Sequence, residues 1–215
     1  MSTLYIIRHG QASYAPGATQ ESYDNLSLRG IEQARLLGVW LAQHRLDAVY
    51  VGPRRRHLGT AEHLLVSARA AGAVVPEPTR LDELDEYAVD DILRGVAATT
   101  SDIYEDTMLR WARAEIHQGQ PFSFAAFAGR IRAALIGIME REGRKRSVAV
   151  VTSAGPVGIA AQLALGFADD KAIQLSWVVA NSSVTELRWR HHEQPTLVSF
   201  NGTPHLADRS LVTYL

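Results

Sequence analysis

Leu4-Tyr5-Ile6-Ile7-Arg8-His9-Gly10 is the stretch that decides how this chain folds. Four apolar residues in a row read as a buried β-strand. The strand runs out into a cation, an imidazole and a glycine. A guanidinium can hold a phosphate through two parallel N–H bonds. An imidazole can attack phosphorus and be displaced again. A glycine lets a neighbouring group come close to the backbone. The tripeptide is short, so its meaning depends on what the rest of the chain delivers to the same place.

The strand is followed by a polar loop from Gln11 to Asn25 and then by Ser27, a good helix N-cap. Ile31, Ala34, Leu37 and Leu41 recur at helical spacing behind it. Asp47 to Val51 reads as a second strand, stopped by Gly52-Pro53. A helix is predicted from about Arg55 to Ala71, with Leu58, Ala61, Leu64, Leu65 and Ala68 turned inward. Val74-Val75 reads as a short strand before Pro76 and Pro78. Residues from about 87 to 145 read as a helical lobe, with an apolar stripe at Phe124, Phe127, Ile131, Leu135 and Ile138. Ser147 to Thr152 is the next buried strand, and Ser153-Ala154-Gly155-Pro156 turns into another helix. Val184 to Trp189 and Thr196 to Phe200 read as late strands. Strands alternating with helices imply a three-layer α/β/α sandwich on a mainly parallel sheet, as one domain over residues 1–215.

Composition narrows the partners. A formal net charge of −1 over 215 residues argues against a general nucleic-acid binder. No apolar run is long enough for a membrane span. The chain enters its first strand without a basic leader or apolar h-region, so the expected location is the cytoplasm. There is no cysteine, which excludes disulfides and thiolate metal sites. No metal-ligand spacing stands out, and His191-His192 reads as a solvated turn. No metal or cofactor is expected.

Ligands of open α/β sheets bind outside the carboxyl ends of the strands. The first strand delivers Arg8-His9-Gly10 there, and the second delivers Gly52-Pro53-Arg54-Arg55-Arg56. The strand ending at Thr152 delivers Ser153 and Ala154 at a helix N-terminus, where free N–H groups favour an anion. Leu81-Asp82-Glu83 adds a carboxylic acid, with Asp85 and Glu86 close by. Together these groups suit phosphate chemistry.

These segments resemble the histidine phosphatase superfamily, in its phosphoglycerate-mutase-like branch. Ile6 to Gln11 resembles the family's opening signature, and Leu26-Ser27, Gly30 and Gln33-Ala34 its second segment. Gly52 to Ala61 resembles the third, which aligns the family's catalytic arginine with Arg56 and puts Gly52 where a serine is usual. Leu81-Asp82-Glu83 resembles the acid-bearing segment. Asn181 to Thr185, Asn201 and His205-Leu206 resemble the closing strands. One departure stands out: Ser153 replaces the family's second histidine.

The resemblance implies that His9 attacks a phosphomonoester and becomes phosphohistidine. Arg8 and Arg56 would hold the phosphoryl oxygens, and Glu83 would serve as general acid and base. Gly10, Gln11, Ser153 and Ala154 would contact substrate. The substrate would be a small phosphorylated molecule, with inorganic phosphate as product. Ser153 carries no charge, so turnover is expected to be lowered by roughly ten- to a hundredfold. A phosphate-binding protein without turnover is the alternative, and a phosphoglycerate mutase the second. Hydrolysis is preferred over the mutase because the segment from Gln11 to Asn25 is short. His57 or His205 could partly compensate for the missing second histidine, but a surface or structural role is expected for each.

Overall fold

A computed structural model describes residues 1–13, 24–96, 100–190 and 194–214. Strand β1 (Ser2–Arg8) lies inside the sheet. Helix α1 (Leu28–Leu41) follows, then β2 (Ala48–Val51), α2 (Arg55–Ala70) and β3 (Thr79–Arg80). Short α3 (Val89–Ile92), α4 (Ser101–Ala112) and the long α5 (Phe124–Glu142) lead to β4 (Ser147–Thr152). Helices α6 (Ala154–Leu165) and α7 (Asp169–Trp177) precede β5 (Val184–Trp189) and β6 (Thr196–Gly202).

The six strands form one mixed sheet in the order β3-β2-β4-β1-β5-β6. Strands β1 to β4 run parallel, β5 runs against β1, and β6 runs against β5. The alternation of side chains along β1 sorts the core into two layers. Leu4 and Ile6 face a cluster that includes Ile131 and Leu135 of α5 and Val157 of α6. Tyr5 and Ile7 face Leu37 and Leu41 of α1 and Leu64 and Leu65 of α2. Helices therefore cover both faces, in the phosphoglycerate-mutase-like arrangement. The segment expected to be helical at about 87–145 is broken into α3, α4 and α5, and α5 packs directly in the core beneath β1 and β4.

Several local expectations have visible causes. Ser27 caps α1, its hydroxyl accepting from the Gly30 N–H at 3.0 Å. The loop after β1 presses against that helix: a Cβ on Gly10 would lie 2.5 Å from the Gly30 carbonyl oxygen. Val74-Val75 is not a strand, and Val74 is exposed. Pro76 and Pro78 bring no N–H to a ladder, so pairing with β2 begins at Thr79. Leu58 is exposed rather than inward, and its neighbour His57 is buried instead.

Candidate active site

The backbone of His9 is fixed from two sides. Its N–H donates to the Thr152 carbonyl at the end of β4, at 2.8 Å, and its own carbonyl accepts from Ser182 N at 3.1 Å. The adjacent parallel ends of β1 and β4 place Arg8, His9 and Ser153 side by side. Gly10 N–H donates to Thr60 Oγ1 of α2 at 3.0 Å.

The imidazole of His9 is held in one tautomer. Nδ1 lies 2.7 Å from the Gly10 carbonyl oxygen and must donate to it. Arg56 Nε donates to Nε2 at 3.1 Å, so Nε2 carries the lone pair. Burial keeps the ring neutral, well below its usual protonation range, and the Arg56 and Arg8 guanidiniums and His57 push the same way. Arg56 sits in the first turn of α2 and is nearly buried. Its Nη1 donates to Asp24 at 2.6 Å, and Asp24 also accepts from the Arg55 N–H. Arg8 Nη1 donates to the carbonyls of Val179 and Tyr214.

Glu83 is not brought to this cluster. It lies in a single 3-10 turn over Asp82–Leu84, with its side chain in solvent and its carbonyl accepting from Arg130 at 2.6 Å. Glu86, three residues on, is turned inward and lies within the fields of Arg56 and Arg8. Its carboxylate accepts from Gly155 N at the head of α6 and from Tyr87 N, both at 3.1 Å. Burial raises its pKa; those two N–H bonds and the fields of Arg56 and Arg8 oppose the rise. A Cβ at position 155 would stand 2.1 Å from Glu86 Oε1, so any larger residue there would displace the carboxylate.

Ser153 is buried at the N-cap of α6, and its hydroxyl is 2.6 Å from His57 Nε2. Ala154 opens the same helix and is half-buried. Gln11 is committed to the scaffold: its N–H donates to Gln33 Oε1 at 2.8 Å and its side chain accepts from Ser27 Oγ at 2.9 Å. Residues 14–23 of the loop after Gln11, and His191-His192, lie outside the described residues. Among the described residues, no group of three or more His, Asp and Glu side chains could hold a metal ion. No described helix is long and apolar enough to cross a membrane.

A neutral imidazole whose unprotonated Nε2 accepts from a guanidinium, a second guanidinium and a carboxyl with a raised pKa can support nucleophilic attack on a phosphoryl group. The model of the histidine phosphatase superfamily (branch 1) matches residues 4–203. The chain belongs to this superfamily. Phosphoserine phosphatase 1 of Hydrogenobacter thermophilus is 27% identical over 214 residues, spanning 97% of this chain and 96% of that protein. A phosphoserine phosphatase mutant from Entamoeba histolytica, solved with phosphoserine, aligns over 96% of this chain and all of its own, with a TM-score of 0.71 and 22% identity. A phosphoglycerate mutase from Bacillus anthracis gives the same TM-score at 18% identity, covering 96% of this chain and 95% of that one. At such identities the two structures establish a shared fold.

Proposed function

We propose that this member of the superfamily hydrolyses a small phosphomonoester through a phosphohistidine at His9. The observation that carries the reading is the 3.1 Å contact from Arg56 Nε to His9 Nε2. It brings an anion-binding group to the nucleophile's lone pair; an arriving phosphoryl group draws Arg56 onto its oxygens, which breaks this hydrogen bond and frees Nε2 to attack. Nε2 bonds to phosphorus as the ester P–O bond breaks. The oxygens that gain charge are held by Arg56 and Arg8. Glu86 replaces Glu83 as the general acid. Its raised pKa helps it keep a proton for the leaving oxygen. Water then attacks phosphorus: Glu86 takes the water's proton, the new P–O bond forms as the P–N bond to Nε2 breaks, and phosphate leaves with His9 neutral again. No step calls for a metal.

The names of the relatives make phosphoserine the first natural ester to try. The purified chain is expected to release phosphate from p-nitrophenyl phosphate, and His9→Ala to release none. Tight orthovanadate binding without turnover in the parent would support the alternative, a phosphate-binding protein of the same fold.

A further inference from the structure

A second imidazole stands beside the first, and three elements cooperate to put it there. His57, in the first turn of α2, is fully buried, and its ring centroid lies 5.6 Å from that of His9. A Cβ on Gly52, just past β2, would stand 2.4 Å from His57 Nδ1 and 3.0 Å from Cε1. The ring thus fills the volume that a side chain at position 52 would need. Its other nitrogen meets Ser153 Oγ at 2.6 Å.

Ser153 itself behaves unusually. A serine at an N-cap ordinarily accepts from an N–H two or three residues on. Here the hydroxyl makes no such bond. Pro156 has no N–H to offer, and the Gly155 N–H is taken by Glu86. The hydroxyl is turned off its own helix and held by the imidazole, at the strand end that also carries His9's neighbours. A ring that merely filled space would not have required both an empty position 52 and a displaced cap.

We propose that His57 and Ser153 act as one unit that positions the serine hydroxyl against a phosphoryl oxygen beside His9, and that Gly52 is glycine to admit the ring. Its kinetic consequence rests on the phosphatase reading; its binding consequence does not. His57 is thus a positioning residue acting through Ser153.

The test is a double-mutant cycle with parent, His57→Ala, Ser153→Ala and the double variant. Orthovanadate affinity is measured by calorimetry, and kcat and KM on p-nitrophenyl phosphate. Each single variant is expected to bind vanadate about tenfold more weakly, the worth of one hydrogen bond, and the double no more weakly than the worse single. The exchange His57→Ala with Ser153→His is expected to recover most of the loss, because it returns an imidazole to the same volume. A folded His57→Ala that binds vanadate within twofold of the parent overturns the proposal, as do additive losses in the double. Should His57→Ala fail to fold, Gly52→Ala carries the test, since it displaces the ring without deleting it. The same tenfold loss is then expected, and unchanged binding contradicts the pairing. A parent that binds vanadate without turnover overturns the phosphatase reading alone, and the pair is still judged on the affinities.

Discussion

Among the described residues two buried serine–histidine pairs stand out, and they do different work. His57 Nε2 lies 2.6 Å from Ser153 Oγ; His205 Nε2 lies 2.9 Å from Ser182 Oγ. The first pair sits at the head of α6, one ring away from His9. The second sits behind His9, on the turn whose Ser182 N–H and Asn181 amide donate to the His9 carbonyl. Both rings are kept neutral by burial; His205 is lowered to about 4. The chemistry of the pairs is the same, so position relative to the strand ends decides what each can do. One can meet an incoming anion and the other can only hold the backbone that carries the nucleophile.

The largest effect is expected in front of the nucleophile. Glu86→Gln is expected to lower kcat by about 10²–10⁴-fold, while Glu83→Gln stays within about twofold of the parent. Equal losses for the two variants, read in steady-state kinetics, would remove Glu86 from the role given to it here.

The next prediction sets the back pair against the front pair. His205→Ala leaves the buried Ser182 hydroxyl without its ring partner, which costs about 1–3 kcal/mol of stability. Chemical denaturation should show that cost, with vanadate affinity still within about twofold of the parent. A tenfold loss of affinity from His205→Ala would erase the distinction between the pairs.

Acid should weaken the fold through both pairs at once. His9, His57 and His205 all bind protons less readily folded than unfolded. Above about pH 6.5 they are neutral in both states and contribute nothing. Below it the unfolded chain takes protons first, and stability falls by up to about 1.4 kcal/mol per pH unit for each group. For His205 that loss runs down to about pH 4. Glu86 has the opposite sign: its raised pKa favours the folded chain as pH falls toward the ordinary carboxylate range. Three groups against one predict a lower melting temperature at pH 5 than at pH 7, and His205→Asn should shrink the difference. A melting temperature that rises between pH 7 and pH 5 would contradict the three lowered histidines.

The smallest effect belongs to the Asp24 anchor. Its carboxylate holds Arg56 at 2.6 Å but carries the same sign of charge as the anion, so Asp24→Ala removes an anchor and a repulsion together and should weaken vanadate binding only a few-fold. A loss as large as that of His57→Ala would make Asp24 part of the grip itself.

How much of this was readable in the sequence varies with how local the cause is. The end of β1 was legible because an unbroken apolar run leaves one place for Arg8 and His9. The choice of Arg56 among three arginines rests on the resemblance of its segment to the family; in the fold Arg56 and Thr60 share the buried side of α2, one turn apart. Glu83 and Glu86 could not be separated in this way. Three carboxylates fall within four positions, and only the 3-10 turn at Asp82–Leu84 throws the first into solvent while the chain beyond carries the last to α6. Where the fold puts His57 could not be read for a related reason. Helical periodicity sent the apolar Leu58 inward, whereas the cavity left by Gly52 accepts the imidazole one position earlier. That signal lay in two residues five apart whose complementarity exists only after folding.

The central claim is that His9 Nε2 becomes bonded to phosphorus. The direct measurement is mass spectrometry of the protein quenched during turnover of p-nitrophenyl phosphate. An acid-labile phosphate on the peptide carrying His9, absent from His9→Ala and accumulating in Glu86→Gln, is the predicted result. Steady release of phosphate by the parent with no phosphate ever found on His9 would contradict it.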